Sequence, residues 1–158
     1  MSFFDTLRDQ MLKTREMTVN LLKGIGDERA DEMPPTWKNN ARWHTGHLVI
    51  TPRLLTFGLM KEELGVPQEY RKWFAKGSSP KDWAGDTIPS YSELIEAIVP
   101  TSETLFENFC ERFEAPFPES YTTPVGVVLK TPAEALNRSL THDGIHLGLL
   151  LALRRGLG

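Results

Sequence analysis

The stretch that decides the fold is Thr131-Pro132-Ala133-Glu134-Ala135-Leu136, running on through His142-Asp143-Gly144-Ile145-His146-Leu147-Gly148 to Leu151-Ala152-Leu153-Arg154-Arg155. A threonine that can cap is followed by a proline suited to the first helical turn and a glutamate placed to close a capping box. Leu136, Leu140, Ile145, Leu147, Leu149, Leu150, Leu151 and Leu153 then carry the helix to Arg155, before Gly156. Two histidines four residues apart sit inside this leucine-rich run. They point to a helix that does chemistry as well as packing.

Working outward, the same rules place three more helices. Phe4, Leu7, Met11, Leu12, Met17, Leu21 and Leu22 recur at mostly three- and four-residue spacings, which predicts an amphipathic helix from about Phe3 to Lys23. A second helix is capped by Asn39 or Asn40 and runs to about Leu64, with Pro52 imposing a kink or a boundary near Thr51. Ser90-Tyr91-Ser92-Glu93 is a capping box opening a third, which continues to about Phe113 with a bend at Pro100. Long connections separate helices two and three, and three and four, and Val125, Val127 and Val128 can form one short strand. Connections of that length usually fold over a site. The expected fold class is all-α: a four-helix bundle with long crossovers, in one domain covering residues 1–158.

Composition agrees and excludes several classes. Leucine outnumbers valine plus isoleucine 20 to 13, a tilt towards helix. The net charge is −3 and the basic residues are scattered along the chain, which argues against nucleic acid as a partner. No apolar run approaches a membrane span or a leader peptide, so neither membrane nor export is expected. One cysteine, Cys110, precludes an intrachain disulfide, fits a reducing cytoplasmic compartment and reads as a small buried hydrophobe.

All four histidines fall in two short windows: His44 and His47 on the second helix, His142 and His146 on the fourth. Residues four apart on a helix differ by about 40° in direction, so His142 and His146 share a face. Two neutral imidazoles so placed can grip a transition metal, and a third from a facing helix completes a three-ligand site with open positions. His44 and His47 stand about 60° apart, and spacing does not choose between them. Asp143 lies close to the same face, free to orient an imidazole, to act as an extra ligand or to remain solvated. Trp73 and Trp83, in the long connection, are placed as loop anchors or pocket-mouth residues. Phosphate-binding glycine loops, a nucleophile elbow, His-Glu-x-x-His and Cys-x-x-Cys are all absent from the sequence.

Arg42-Trp43-His44-Thr45-Gly46-His47-Leu48, taken with the segment from Thr131 to Arg155, resembles the DinB/YfiT-like superfamily of small bacterial metal-binding bundles. The shared pattern is a tryptophan-led His-Leu near the start of helix two and a His-x-x-x-His with a leucine-rich, arginine-ended tail on the last helix. Carried over by position, the resemblance implies a metal triad of His47, His142 and His146, with His47 preferred because it directly precedes Leu48. His44 and Asp143 become neighbours or substrate contacts. Leu147 and Leu149 depart from relatives that carry Arg and Gln there, which bears on substrate identity more than on metal binding.

The resemblance implies a homodimer and a divalent metal: zinc or nickel first, iron or manganese next, since imidazole suits several of these. It further implies a metal-dependent transferase or hydrolase, in which a low-molecular-weight thiol attacks a small electrophilic substrate. A non-catalytic bundle, with the metal structural or the protein an interaction module, is the alternative.

Overall fold

Ser2 starts the first helix as the local chemistry requires. Its hydroxyl accepts from the Asp5 N–H, and the Asp5 carboxylate accepts from the Ser2 N–H in return. From there the computed structural model, which describes residues 2–158, runs through α1 (Phe3–Ile25), α2 (Ala41–Arg53), α3 (Glu69–Phe74) and α4 (Tyr91–Phe109). A short antiparallel hairpin of β1 (Tyr121–Thr122) and β2 (Val128–Leu129) follows, and then α5 (Pro132–Leu157). The fold is all-α apart from that hairpin. None of the described helices is long and apolar enough to cross a membrane.

The helix starts agree with the sequence and the ends differ. Gly26 stops α1 two residues later than expected, with a φ of 84° that disfavours any side chain. At α5 the Thr131 hydroxyl accepts from the Glu134 N–H, but the Glu134 carboxylate takes the Lys130 N–H, so the expected reciprocal box is shifted by one residue. That helix continues past Gly156 to Leu157. The third predicted helix ends at Phe109 rather than Phe113.

Helix two ends at Arg53, close to the boundary that Pro52 allowed near Thr51, and gives way to a π turn over Leu54–Gly58 instead of continuing to Leu64. Pro52 has no N–H to offer the carbonyl four residues back, and the ladder loosens from that point. The connection that follows is not structureless. It holds α3 and a 3-10 turn over Pro80–Trp83.

α1 packs against α4 and α5, and α2 packs against α3, α4 and α5. Besides two smaller clusters around Phe74 and around Phe117, the core holds two larger apolar clusters. Leu22, Tyr91, Ile98 and Leu150 belong to one, and Met11, Leu105, Phe106 and Leu136 to the other. Along α1, α4 and α5 the residues between the clusters are polar: Arg15, Ser102 and Asp143. The Arg15 guanidinium joins all four long helices. It donates to both Asp143 carboxylate oxygens (2.7 and 3.1 Å), to Ser102 Oγ (2.7 Å), to the Ile98 carbonyl (3.3 Å) and to the Leu48 carbonyl (2.9 Å). Leu48 lies four residues before Pro52, so its carbonyl is the one the proline leaves without an intrahelical donor. Arg15 fills that vacancy. A buried guanidinium with every direction satisfied is the arrangement in which the desolvation of an ion pair is offset.

Two burial expectations are corrected. Ile145 is 52% exposed, because the buried stripe of α5 runs through Leu136, Ser139, Asp143, His146, Leu150 and Leu153. Cys110, expected inside, is exposed just past the end of α4.

Candidate metal centre

α2 is buried on nearly all sides between α3, α4 and α5, so even its polar side chains are drawn inside. Its His44 and His47 meet His142 and His146 of α5. His47 Nε2 lies 3.1 Å from His142 Nε2, and His44 Nδ1 lies 2.9 Å from His146 Nδ1. Ligand atoms of His47, His142 and His146 all fall within 4.8 Å of one another, a group that could hold a metal ion. His44 stands beside that group.

The surroundings set how each ring can act. The His47 Nδ1–H donates to the Phe74 carbonyl at 2.6 Å, which leaves Nε2 with its lone pair directed at the other two rings. Trp43 stacks on the same ring, with centroids 4.5 Å apart and planes within 15°. Gly46 makes this possible: a Cβ there would stand 2.4 Å from the Phe74 ring, so only glycine lets α3 bring the Phe74 carbonyl so close. His44 and His146 share one hydrogen between their Nδ1 atoms. With His146 as donor, its Nε2 is left bare as well.

His142 Nδ1 is buried with no hydrogen-bond partner. An orphaned nitrogen of that kind costs about 1–3 kcal/mol, which argues that the ring is held for a purpose other than packing. Nitrogens sharing one ion at about 2.1 Å stand roughly 3.0–3.4 Å apart, depending on geometry. The 3.1 Å between His47 and His142 falls in that range, so this donor set fits a divalent transition metal.

Burial is the main cause that holds all four imidazoles neutral. It pushes His44 and His47 down to about 4, and burial with repulsion among the rings pushes His142 to about 3 and His146 to about 2. Neutral imidazole is the form that ligates. Asp143, expected to orient a ring, to ligate or to be solvated, is 1% exposed and gives both oxygens to Arg15. Burial pushes its carboxyl up from the ordinary range while the guanidinium charge and hydrogen bonds pull it back. It fixes the register of α5 rather than touching the rings.

The triad opens onto a cavity of about 1040 Å³. Its walls come from α2, α5 and the long connections, which fold over the site as their length suggested. Trp37 and Trp43 line it. Trp73 and Trp83 do not: their indole N–H groups bind Asp86 and the Trp73 carbonyl, bracing the segment around α3.

Three contributors escaped the sequence reading. Phe74 acts through a backbone carbonyl, which has no sequence signature. Arg15 did leave one, since it occupies the buried line Leu7, Met11, Arg15, Thr18, Leu22, where a charge demands a buried partner. Arg138 lines the cavity one turn before His142.

The chain is similar to known proteins in sequence pattern and in fold. A sequence model of the DinB superfamily matches residues 10–150. A crystal structure described as the conserved protein of locus from Enterococcus faecalis superposes with a TM-score of 0.69, covering 99% of this chain and 97% of its own at 16% identity, a likeness of fold. No curated protein matches the sequence.

Proposed function

The chain belongs to the DinB superfamily, and from that premise we propose that it is a metal-dependent transferase in which His47, His142 and His146 hold one divalent ion and a low-molecular-weight thiol is transferred to a small electrophile. On this reading the four long helices are a four-helix bundle with long crossovers. The observation that carries the proposal is three neutral imidazoles converging on a large open cavity, with no cysteine or carboxylate beside them. Structural zinc sites usually close with four protein ligands, whereas three leave room for a reactant.

A divalent metal held by His47, His142 and His146 would supply Lewis acidity that brings a thiol's pKa down towards neutral. The residues do the rest. The Phe74 carbonyl and His44 fix the orientation of two ligand rings, Trp43 holds the His47 plane, and the Arg15–Asp143 pair fixes α5 against α2. The apolar wall of Trp43, Leu54 and Leu55 excludes water from one side of the reacting pair. In the transfer a sulfur–carbon bond forms as the leaving group departs, and the thiol proton passes to solvent.

The test offers metal-loaded protein a panel of low-molecular-weight thiols with monochlorobimane, whose chloride is displaced. Rate enhancement that disappears in His146→Ala supports the enzyme. No turnover with any thiol favours the second reading, a non-catalytic metal-binding module. One observation speaks for that reading: His44 lies within reach of His146 and is the available fourth imidazole. The homodimer belongs to the proposal too, and sedimentation showing only monomer at micromolar concentration would remove it.

A further inference from the structure

We propose that the cavity above the triad selects an organic anion: a small molecule whose carboxylate, sulfonate or phosphate is met by Lys38, Arg71, Lys76, Lys81 and Arg138. This names the charge class of the substrate and rests on the cavity being the substrate site of the proposed function. The chain carries 18 Lys and Arg against 21 Asp and Glu, so a wall of random composition would hold slightly more acids than bases. This wall holds those five bases and no acid. Scattered in sequence, they are gathered by folding: one from the segment before α2, three from α3 and the connection after it, and one from α5.

Among the described residues none of the five has an acidic partner within 4 Å, while Lys13, Arg15, Arg29, Arg42, Lys61, Lys72 and Arg112 do; other unpaired bases lie outside this wall. Their charges line one open cavity, and its apolar walls concentrate their field. Arg138 is the half-buried member, one helical turn from His142. The rest of the wall is apolar, with Trp37, Trp43, Leu54 and Leu59 offering a surface for an uncharged body. The complementary ligand carries its anionic group towards the basic rim and lays its apolar part along the tryptophans.

The experiment uses two fluorescent probes with the same aromatic body, 8-anilinonaphthalene-1-sulfonate and the uncharged N-phenyl-1-naphthylamine, titrated into the full chain without metal. Several exposed charges acting together give the sulfonate roughly tenfold tighter binding, reduced by added salt. In the Lys76→Gln/Lys81→Gln/Arg138→Gln variant that preference falls to about twofold or less, while the uncharged probe binds as before. Lys76→Gln/Lys81→Gln alone changes only exposed, unpaired side chains and gives a partial loss should Arg138→Gln disturb folding. Equal affinity for the two probes, no binding of the sulfonate, or a preference that survives both variants overturns the proposal. The readout needs neither metal nor turnover, so it can succeed where the thiol assay fails, and fail where that assay succeeds.

Discussion

Replacing Arg15 with methionine removes the charge at the junction of the four long helices while keeping most of the side chain's bulk. Arg15 and Asp143 are each 1% exposed, and the guanidinium makes five hydrogen bonds. Breaking a buried pair from one side leaves an uncompensated charge and costs about 3–5 kcal/mol. The Leu48 carbonyl, already without a helical donor because of Pro52, loses its replacement, which adds about 1 kcal/mol. Together these remove about 4–6 kcal/mol, a large share of a total of about 5–15. Burial already pushes the Asp143 carboxyl up, and without Arg15 nothing opposes it. A raised folded pKa means that the folded variant binds the extra proton, so its deficit relative to wild type shrinks as pH falls through that pKa. The assay is urea denaturation of metal-free protein, followed by helical circular dichroism near neutral and at mildly acidic pH. The Arg15→Met/Asp143→Leu double variant recovers most of the loss, since no charge is left buried. A single-variant loss under about 1 kcal/mol, or one that ignores pH, refutes the reasoning.

Gly46→Ala drives a methyl group into the Phe74 ring and displaces the carbonyl that holds His47; stability falls by about 1–3 kcal/mol and metal affinity by about tenfold or more, and wild-type affinity by calorimetry would contradict this. The buried histidines have folded values well below their ordinary 6.5, so the unfolded chain binds more protons between about pH 6.5 and 4. Metal-free protein therefore loses stability as pH falls through that window, and a denaturation midpoint that stays level there would count against buried neutral rings. Cys110 is exposed, so an aromatic disulfide reagent labels it fully in the native protein without loss of helix; labelling that waits for unfolding shows the thiol to be inside.

The helix starts were legible because capping is local: Ser90 with Glu93, and Thr131 with Pro132, announce themselves within four residues. The histidine cluster was legible for a related reason, since His142 and His146 share a face whatever surrounds them. What escaped depends on partners far along the chain. Ile145 looks like core until Asp143, two residues earlier, takes the inward direction to reach Arg15. The basic residues look scattered until Lys38, Lys76 and Arg138 are brought to one cavity.

The central claim is that His47, His142 and His146 form one metal site, and elemental analysis of the purified protein tests it most directly. The account predicts about one divalent ion per chain in the wild type, and its loss from His47→Ala, His142→Ala and His146→Ala, each still folded by circular dichroism. His44→Ala keeps the ion with reduced affinity, since His44 only braces His146. Three triad variants with wild-type metal content, or loss of metal from His44→Ala alone, would contradict the account.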